Sequence, residues 1–483
     1  MSLKSYTFLI VTAALIITAA YFVYQPYAAN WDEHVYFHES QYLQTDGERG
    51  FLETLRPLGL PVLLSLIGFT TLEATRLASI AIGAAMLLAF YQALIALGAS
   101  ESDAVVTTLL VALIPLLLDA IIGVRAMPLA FLAAALSVIA YARQHWAWMI
   151  LAGALATYAF HTRAVYGAWI AVGLFIPIVK SFTDSWNSAE HITNFAGYAA
   201  GVATTFTGFG ILHYQLFSST AVEAGYPAVA SAAYPVIQQF IDHATRYVWV
   251  NAAGPTFYLA VLFGITPMFA AAPLILDRLG DGLSAEQWYV ALSTLTITAF
   301  LFITPHKEPR YLLAVIPWFL AAGYQALVRF VNTGFAPTRS MAATVTAVLF
   351  LSTMVPGIAD TMPDQSAWHK NESERQAQYN PLPFDESDEV LLGTPVVRSN
   401  ASLVIGYQTD QGFFDKLNAD DYDGVVYDED AFPCQVNDSD CYTLRNNTKE
   451  YLADNYNAVL TANTTTVYAS DAALSNASTS SQS

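Results

Sequence analysis

Residues 288–330 read WYVALSTLTITAFLFITPHKEPRYLLAVIPWFLAAGYQALVRF, two apolar runs at 288–303 and 312–330 with His306, Lys307, Glu308 and Arg310 crowded into the gap between them. Each run approaches the roughly 17 to 25 apolar residues that a helix needs to cross a bilayer. Charges wedged between two such runs belong at a membrane surface, because holding them in hydrocarbon is costly. Further runs of the same kind occur near residues 7–24, 74–97, 104–120, 127–142, 146–160, 165–179, 195–216, 252–276 and 342–358, so the sequence predicts eleven crossings. The run 57–69 is apolar but short and interrupted by two prolines, and reads as an interfacial or re-entrant segment. If it spans, the count changes by one.

The composition demands such an arrangement. Over 483 residues, 55% are hydrophobic and 12% charged, with a mean hydropathy of +0.41. A water-soluble chain has too little polar surface to cover that much apolar material. The formal charge of -19 is unevenly spread, since residues 361–483 hold 20 acidic and 6 basic side chains, a net -14. An acidic tail does not bind nucleic acid, which needs clustered Lys and Arg. It reads as an adaptation to high salt.

Two signals orient the chain. With Lys4 inside, the eleven-span scheme also puts Arg143, Lys180, Arg278, Arg329 and Arg339 on the cytoplasmic side, as the positive-inside tendency requires. The N-x-S/T acceptors beginning at Asn371, Asn400, Asn437, Asn446, Asn463 and Asn476 all lie beyond the last span, where they would face outward. The expectation is a multi-pass cell-membrane protein with a cytoplasmic N-terminus and an extracellular C-terminus. The first run is long and lacks a small-residue cleavage site, so it is expected to stay as a signal anchor. Two domains follow: a membrane domain over 1–360, with a first outer loop at about 25–72, and an acidic extracytoplasmic domain over 361–483.

In that tail, short β-type runs at 390–394, 424–427, 458–461 and 465–468 alternate with helix-compatible stretches at 401–407 and 442–455, which fits a small α/β domain ending in a disordered Ser-rich segment. Cys434 and Cys441, with six residues between them, are placed to form a local disulfide in an oxidising compartment. No second CxxC or His pair accompanies them, so no metal is expected.

The chemistry-bearing residues collect on the outer side of this scheme. The first outer loop opens with Asn30-Trp31-Asp32-Glu33-His34-Val35-Tyr36-Phe37-His38-Glu39, an acidic and aromatic cluster. A carboxylate at a low-dielectric boundary can act as general base on an acceptor hydroxyl; the plain alternative is a solvated loop anchored by interfacial Trp and Tyr. His306, Lys307 and Arg310 are cations on the outer side, against the positive-inside tendency, which gives them a local task such as holding a phosphate, with Glu308 orienting them. Their plain alternative is a charged loop capping two helices. Arg125, Arg163 and Arg246 fall at outer span ends and Arg56 near the start of the short apolar run, as further cations around one cavity or as snorkelling interfacial residues. There is no Walker A sequence, no GxGxxG before a helix, no HExxH, no CxxCH and no GxSxG.

Together, Asp32-Glu33 and His306-Lys307-Glu308-Pro309-Arg310-Tyr311 resemble the GT-C superfamily of integral-membrane glycosyltransferases. The second run is similar to the HKE-x-R-F signature of mannosyltransferases that build GPI anchors and N-glycan precursors. Tyr311 stands where that family usually has Phe, and Pro309 replaces a commonly charged residue. The WWDYG-type motif of the oligosaccharyltransferase branch is absent. The resemblance implies an α-helical polytopic membrane protein that moves a hexose, plausibly mannose, from a dolichyl or polyprenyl phosphate carrier to a glycan, lipid or protein acceptor. It implies an inverting displacement without metal or other cofactor, with Asp32 as base, Glu33 positioning it, and His306, Lys307 and Arg310 on the leaving phosphate. Membrane lipids are the other expected partner. The rival readings are a transporter or lipid-linked sugar flippase, and a receptor-like scaffold. The acidic tail and the sequons point to a halophilic archaeon.

Overall fold

The computed structural model describes residues 31–53, 56–183, 189–223, 283–303, 309–330, 388–393, 402–405, 410–428, 439–462 and 465–474, with 227, 382 and 384. The chain divides into two compact units. The first comprises Met1–Gln25, Thr54–Leu60 and Arg76–Met362, and the second Pro26–Glu53, Pro61–Thr75 and Pro363–Ser483.

The helices in chain order are α1 (Trp31–Gln44), α2 (Gly59–Ile67), α3 (Leu72–Ala96), α4 (Glu101–Ala112), α5 (Pro115–Ile122), α6 (Ala126–Tyr141), α7 (Trp146–Thr162), α8 (Gly167–Thr183), α9 (Ala189–Glu223), α10 (Ala285–Ile303) and α11 (Ile316–Phe330). Short 3-10 turns at Ala164–Tyr166 and Pro309–Ala314 precede α8 and α11. Eight of the eleven predicted crossings coincide with these elements; those at 7–24, 252–276 and 342–358 lie outside the described residues. Among the described residues, three helices are long and apolar enough to cross a membrane, and four if α4 and α5 form one broken span. Pro115 makes that break: it lacks an N–H and takes the first helical position of α5, where none is needed. Helix α2 has only nine residues, about 14 Å at 1.5 Å per residue, too short to cross.

Helix ends are closed from the local sequence. Ser284 and Gln287 form a reciprocal capping box at α10, with Ser284 N donating to Gln287 Oε1 (3.2 Å) and Gln287 N to Ser284 Oγ (3.4 Å). The Gln287 amide then donates to Leu97 O (3.0 Å), satisfying a carbonyl beyond the end of α3. In hydrocarbon such groups have no water to turn to.

In the first unit, α7 packs along both α6 and α9, and α8 along α9 and α10. The α7–α9 contact is made by small residues. A Cβ on Gly153 would strike Tyr198 O, one on Gly201 would strike Ile150 O, and one on Gly197 would come within 2.7 Å of Trp146 O. Gly197 and Gly201 form a GxxxG pair, the spacing that lets two helix backbones approach in lipid. Behind this contact lies a chain of hydroxyls. Ser137 Oγ donates to Ala152 O (2.8 Å) and lies 2.9 Å from the Tyr289 hydroxyl. The Tyr198 hydroxyl donates to Trp169 O (2.9 Å) and lies 3.0 Å from the same Tyr289 oxygen. Tyr141 stacks on Tyr289 at 4.3 Å, and Trp169 meets Tyr289 edge-on at 5.0 Å. Trp318 contacts Trp169, Phe131 and Phe90 and extends the aromatic core to α3 and α11.

The second unit holds a five-stranded sheet of β1 (Glu389–Leu392), β2 (Ser402–Ile405), β3 (Gly424–Asp428), β4 (Asn457–Ala462) and β5 (Thr465–Ala469). The order is β2-β1-β3-β5-β4. β1 is parallel to β2 and β3, and β5 is antiparallel to β3 and β4. Helices α12 (Asp410–Ala419) and α13 (Ser439–Asn455) pack together. Val390, Leu391 and Leu392 are all fully buried, as in a parallel strand covered on both faces. The stretch 401–407, expected to be helical, instead supplies β2, because Leu403, Val404 and Ile405 continue the parallel ladder beside β1. Beside β3, burial and then Asp420 and Glu389 push the Tyr422 phenol up to about 12. The cysteine pair falls outside the described residues, since Cys434 and the Cys441 side chain are both undescribed.

Two outcomes are expected. Gly201→Leu forces α7 and α9 apart and lowers stability by about 1–3 kcal/mol, read as a fall in the melting midpoint of the detergent-solubilised protein. Among the sequons, Asn446 lies inside α13, and its Thr448 is buried with the hydroxyl given to Leu444 O (2.9 Å). An acceptor sequon belongs in a surface loop, so glycopeptide mass spectrometry of the folded protein should find Asn446 unoccupied.

Candidate functional site

The expected site residues fall in both units. In the second, Asp32 and Glu33 occupy the first turn of α1, where carboxylates complement the helix dipole. Both are buried, as are His34, His38, Glu39 and Ser40 on the same helix. His34 and His38, one turn apart, stack with ring centroids 6.4 Å apart, and His38 lies 5.1 Å from Phe51. Glu39 Oε1 accepts from Glu53 N (3.3 Å). At Gly50 (φ +75°) a Cβ would strike His38 O, so the return of the chain onto α1 requires glycine. Val35 and Phe51 do not face a separate loop core: they join Leu382, Phe384, Val390, Leu391, Val425 and Val426 in the core of the tail domain. The acidic and aromatic cluster read from sequence as the opening of an outer loop is therefore a helix, and its Val35 belongs to the core of the sheet. Among the described residues no group of three or more His, Cys, Asp or Glu is placed to hold a metal ion.

In the first unit two of the cations, Arg163 and Arg310, meet at the turn Pro309–Ala314, which packs against α5, α6, α10 and α11. Arg310 lies on this turn, and its guanidinium carbon is 5.9 Å from the Tyr311 ring centroid. Arg163 sits at the break between α7 and the turn Ala164–Tyr166, with extended backbone (φ −155°, ψ 116°). Its guanidinium lies 4.9 Å from the same Tyr311 ring. Arg125 caps α6 and faces Asp119 of α5 at 3.9 Å, a long pair whose acid is half-exposed. Arg56 belongs to this unit through the segment Thr54–Leu60. That segment is held to the end of α7: Tyr158 donates to Gly59 O (2.9 Å), and a Cβ on Gly59 would collide with Thr162. Arg56 and Arg163 thus flank a Gly59–Thr162 contact. His306, Lys307, Glu308 and Arg246 lie outside the described residues.

The comparisons with known proteins bear on this arrangement. A family model described as the Alg9-like mannosyltransferase family matches residues 250–396, under a third of the chain but including all of His306–Tyr311. The solved structure of ArnT from Cupriavidus metallidurans bound to undecaprenyl phosphate aligns with a TM-score of 0.56 at 13% identity, covering 97% of this chain and 98% of that one. This chain has the GT-C fold. The apo state of the same ArnT gives a TM-score of 0.56 at 14% identity with the same coverage. The oligosaccharyltransferase AglB from Archaeoglobus fulgidus, in complex with an inhibitory peptide and a dolichol-phosphate, gives 0.47 at 11% identity over 89% of this chain and 70% of that one, a likeness too slight to argue from. No curated protein matches the sequence. The GT-C fold and the family match over the motif-bearing segment support a multi-pass membrane glycosyltransferase.

Glu53, whose N–H reaches Glu39, and Asp119, beside Arg125, were not singled out from sequence, and nothing local marks either. Val35→Asp should test the shared core. A carboxylate buried there without a partner costs several kcal/mol, and limited proteolysis should then cut both the α1 segment and the tail sheet faster than in wild type.

Proposed function

We propose that this protein transfers a hexose, mannose in preference, from a dolichyl or polyprenyl phosphate to a glycan, lipid or protein acceptor on the outer face of the membrane. The observation that carries the reading is the pair of guanidiniums on Tyr311, which belongs to the segment matched by the mannosyltransferase family model. The ArnT structure that shares the fold was solved with undecaprenyl phosphate, a lipid phosphate of the class proposed here.

The reaction is a single displacement. The acceptor hydroxyl oxygen bonds to the anomeric carbon, the bond from that carbon to the phosphate oxygen breaks, and the lipid phosphate departs with the bonding pair. Asp32 takes the hydroxyl proton and Glu33 positions Asp32. As the bond breaks, the phosphate gains negative charge, so fixed cations stabilise the transition state more than the ground state. His306, Lys307 and Arg310 supply that charge, with Arg125 and Arg163 beside them and Glu308, Arg56 and Arg246 in support. The chemistry asks nothing of a metal. The N-terminus is cytoplasmic, and the membrane domain (1–360) presents the acidic domain (361–483) outside, with a Cys434–Cys441 bridge. The acidity suits a halophilic archaeal surface.

The test is transfer of radiolabelled sugar from dolichyl phosphate mannose and dolichyl phosphate glucose in membranes carrying wild type, Asp32→Asn or Lys307→Ala. Wild type should transfer, and each variant should lose at least about 100-fold at normal protein level, the scale of a lost base or of lost charge stabilisation. Absence of transfer from any lipid donor by wild type would favour carriage of a lipid-linked sugar across the membrane.

A further inference from the structure

We propose that Tyr311 is a positioning residue that orients Arg163 toward the donor phosphate without neutralising it. The inference rests on the reading that these cations hold the phosphate. Arg163 and Arg125 both stand at helix ends, yet they are held in different ways. Arg125 faces a carboxylate, Asp119, at 3.9 Å. Arg163, among the described residues, has no acid within salt-bridge distance and rests on the face of a buried aromatic ring, 4.9 Å from its centroid. A carboxylate that fixes a guanidinium also cancels its charge and competes with an incoming phosphate for the same N–H groups. An aromatic face attracts a cation through its quadrupole, carries no net charge, and leaves the N–H edge of the guanidinium open.

The geometry gives the ring a second task. Arg310 lies 5.9 Å from the same centroid, so two cations from distant parts of the chain share one neutral anchor. Tyr311 is itself fixed: it is 8% exposed, within a turn whose next residues, Leu312 to Val315, are buried. The extended backbone at Arg163 carries its side chain off the helix.

The experiment uses the full chain in detergent, with Tyr311→Phe, Tyr311→Leu, Arg163→Ala and the double variant. Two quantities are read for each: KM for dolichyl phosphate mannose against KM for the acceptor, and direct binding of sugar-free dolichyl phosphate. Tyr311→Leu should weaken both lipid ligands by about three- to thirty-fold, the span of a cation–π contact, and leave the acceptor KM within about twofold. Tyr311→Phe should restore lipid binding, since the ring rather than the hydroxyl acts. In the Arg163→Ala background Tyr311→Leu should add only what the Arg310 contact contributes, less than its effect in wild type. Unchanged lipid affinity in Tyr311→Leu, equal loss in Phe and Leu, or full additivity with Arg163→Ala would overturn the proposal. If wild type binds dolichyl phosphate but transfers no sugar, the transferase reading falls and Tyr311 is judged on binding alone. If it binds no lipid phosphate, both fall.

Discussion

The membrane unit is organised around one buried hydroxyl, that of Tyr289. It lies within hydrogen-bond distance of Ser137 on α6 and Tyr198 on α9, whose own protons go to carbonyls on α7 and α8. With both outer protons committed, the Tyr289 proton serves either Ser137 or Tyr198. Five helices are tied by three side chains. Each bond is modest, averaging about 0.6 kcal/mol in a measured membrane protein, but two of the four contacts meet at one oxygen, and an unmet hydroxyl in a dry interior is costly. The glycines set the distance: Gly173 leaves room for the Tyr198 ring, and Gly153, Gly197 and Gly201 bring α9 close enough for its hydroxyl to reach.

The Pro309–Ala314 turn depends on this frame. Trp169 accepts from Tyr198 through its carbonyl and passes its ring contact to Trp318 on α11, the helix that follows the Pro309–Ala314 turn. Arg163 leaves its own helix just before α8 begins. Arg163 is therefore placed by the packing of a helix end against the Tyr311 ring, whereas Arg125 faces Asp119.

Much of the membrane unit could be read along the sequence, because apolar runs such as 74–97 and 288–303 have one physical reading at that length. The break at Pro115 also has a local cause. The hydroxyl chain was not legible, since a Ser and three Tyr inside apolar runs look like tolerated polar residues until the helices are packed. For the site, residue types and their grouping pointed to Asp32, Glu33 and Arg310, whereas the Arg163–Tyr311 contact joins residues 148 positions apart and leaves no local trace. The misreading of 401–407 is of another kind. Leu, Val and Ile suit helix and strand alike over so short a run, and the neighbour β1 decides.

The core shared by α1 and the tail sets an order on synthesis. Val35 and Phe51 belong to one core with Leu382 and the strands after it, and that core is incomplete until they exist. At roughly 5 to 20 residues per second, the ribosome takes from about 15 s to about a minute to cover the intervening chain. Throughout that interval the helix bearing Asp32 and Glu33 lacks its hydrophobic seat. A chain truncated before the sheet would carry every residue of the proposed chemistry and still fail to mature it, so completion of the C-terminus acts as a built-in check on the enzyme.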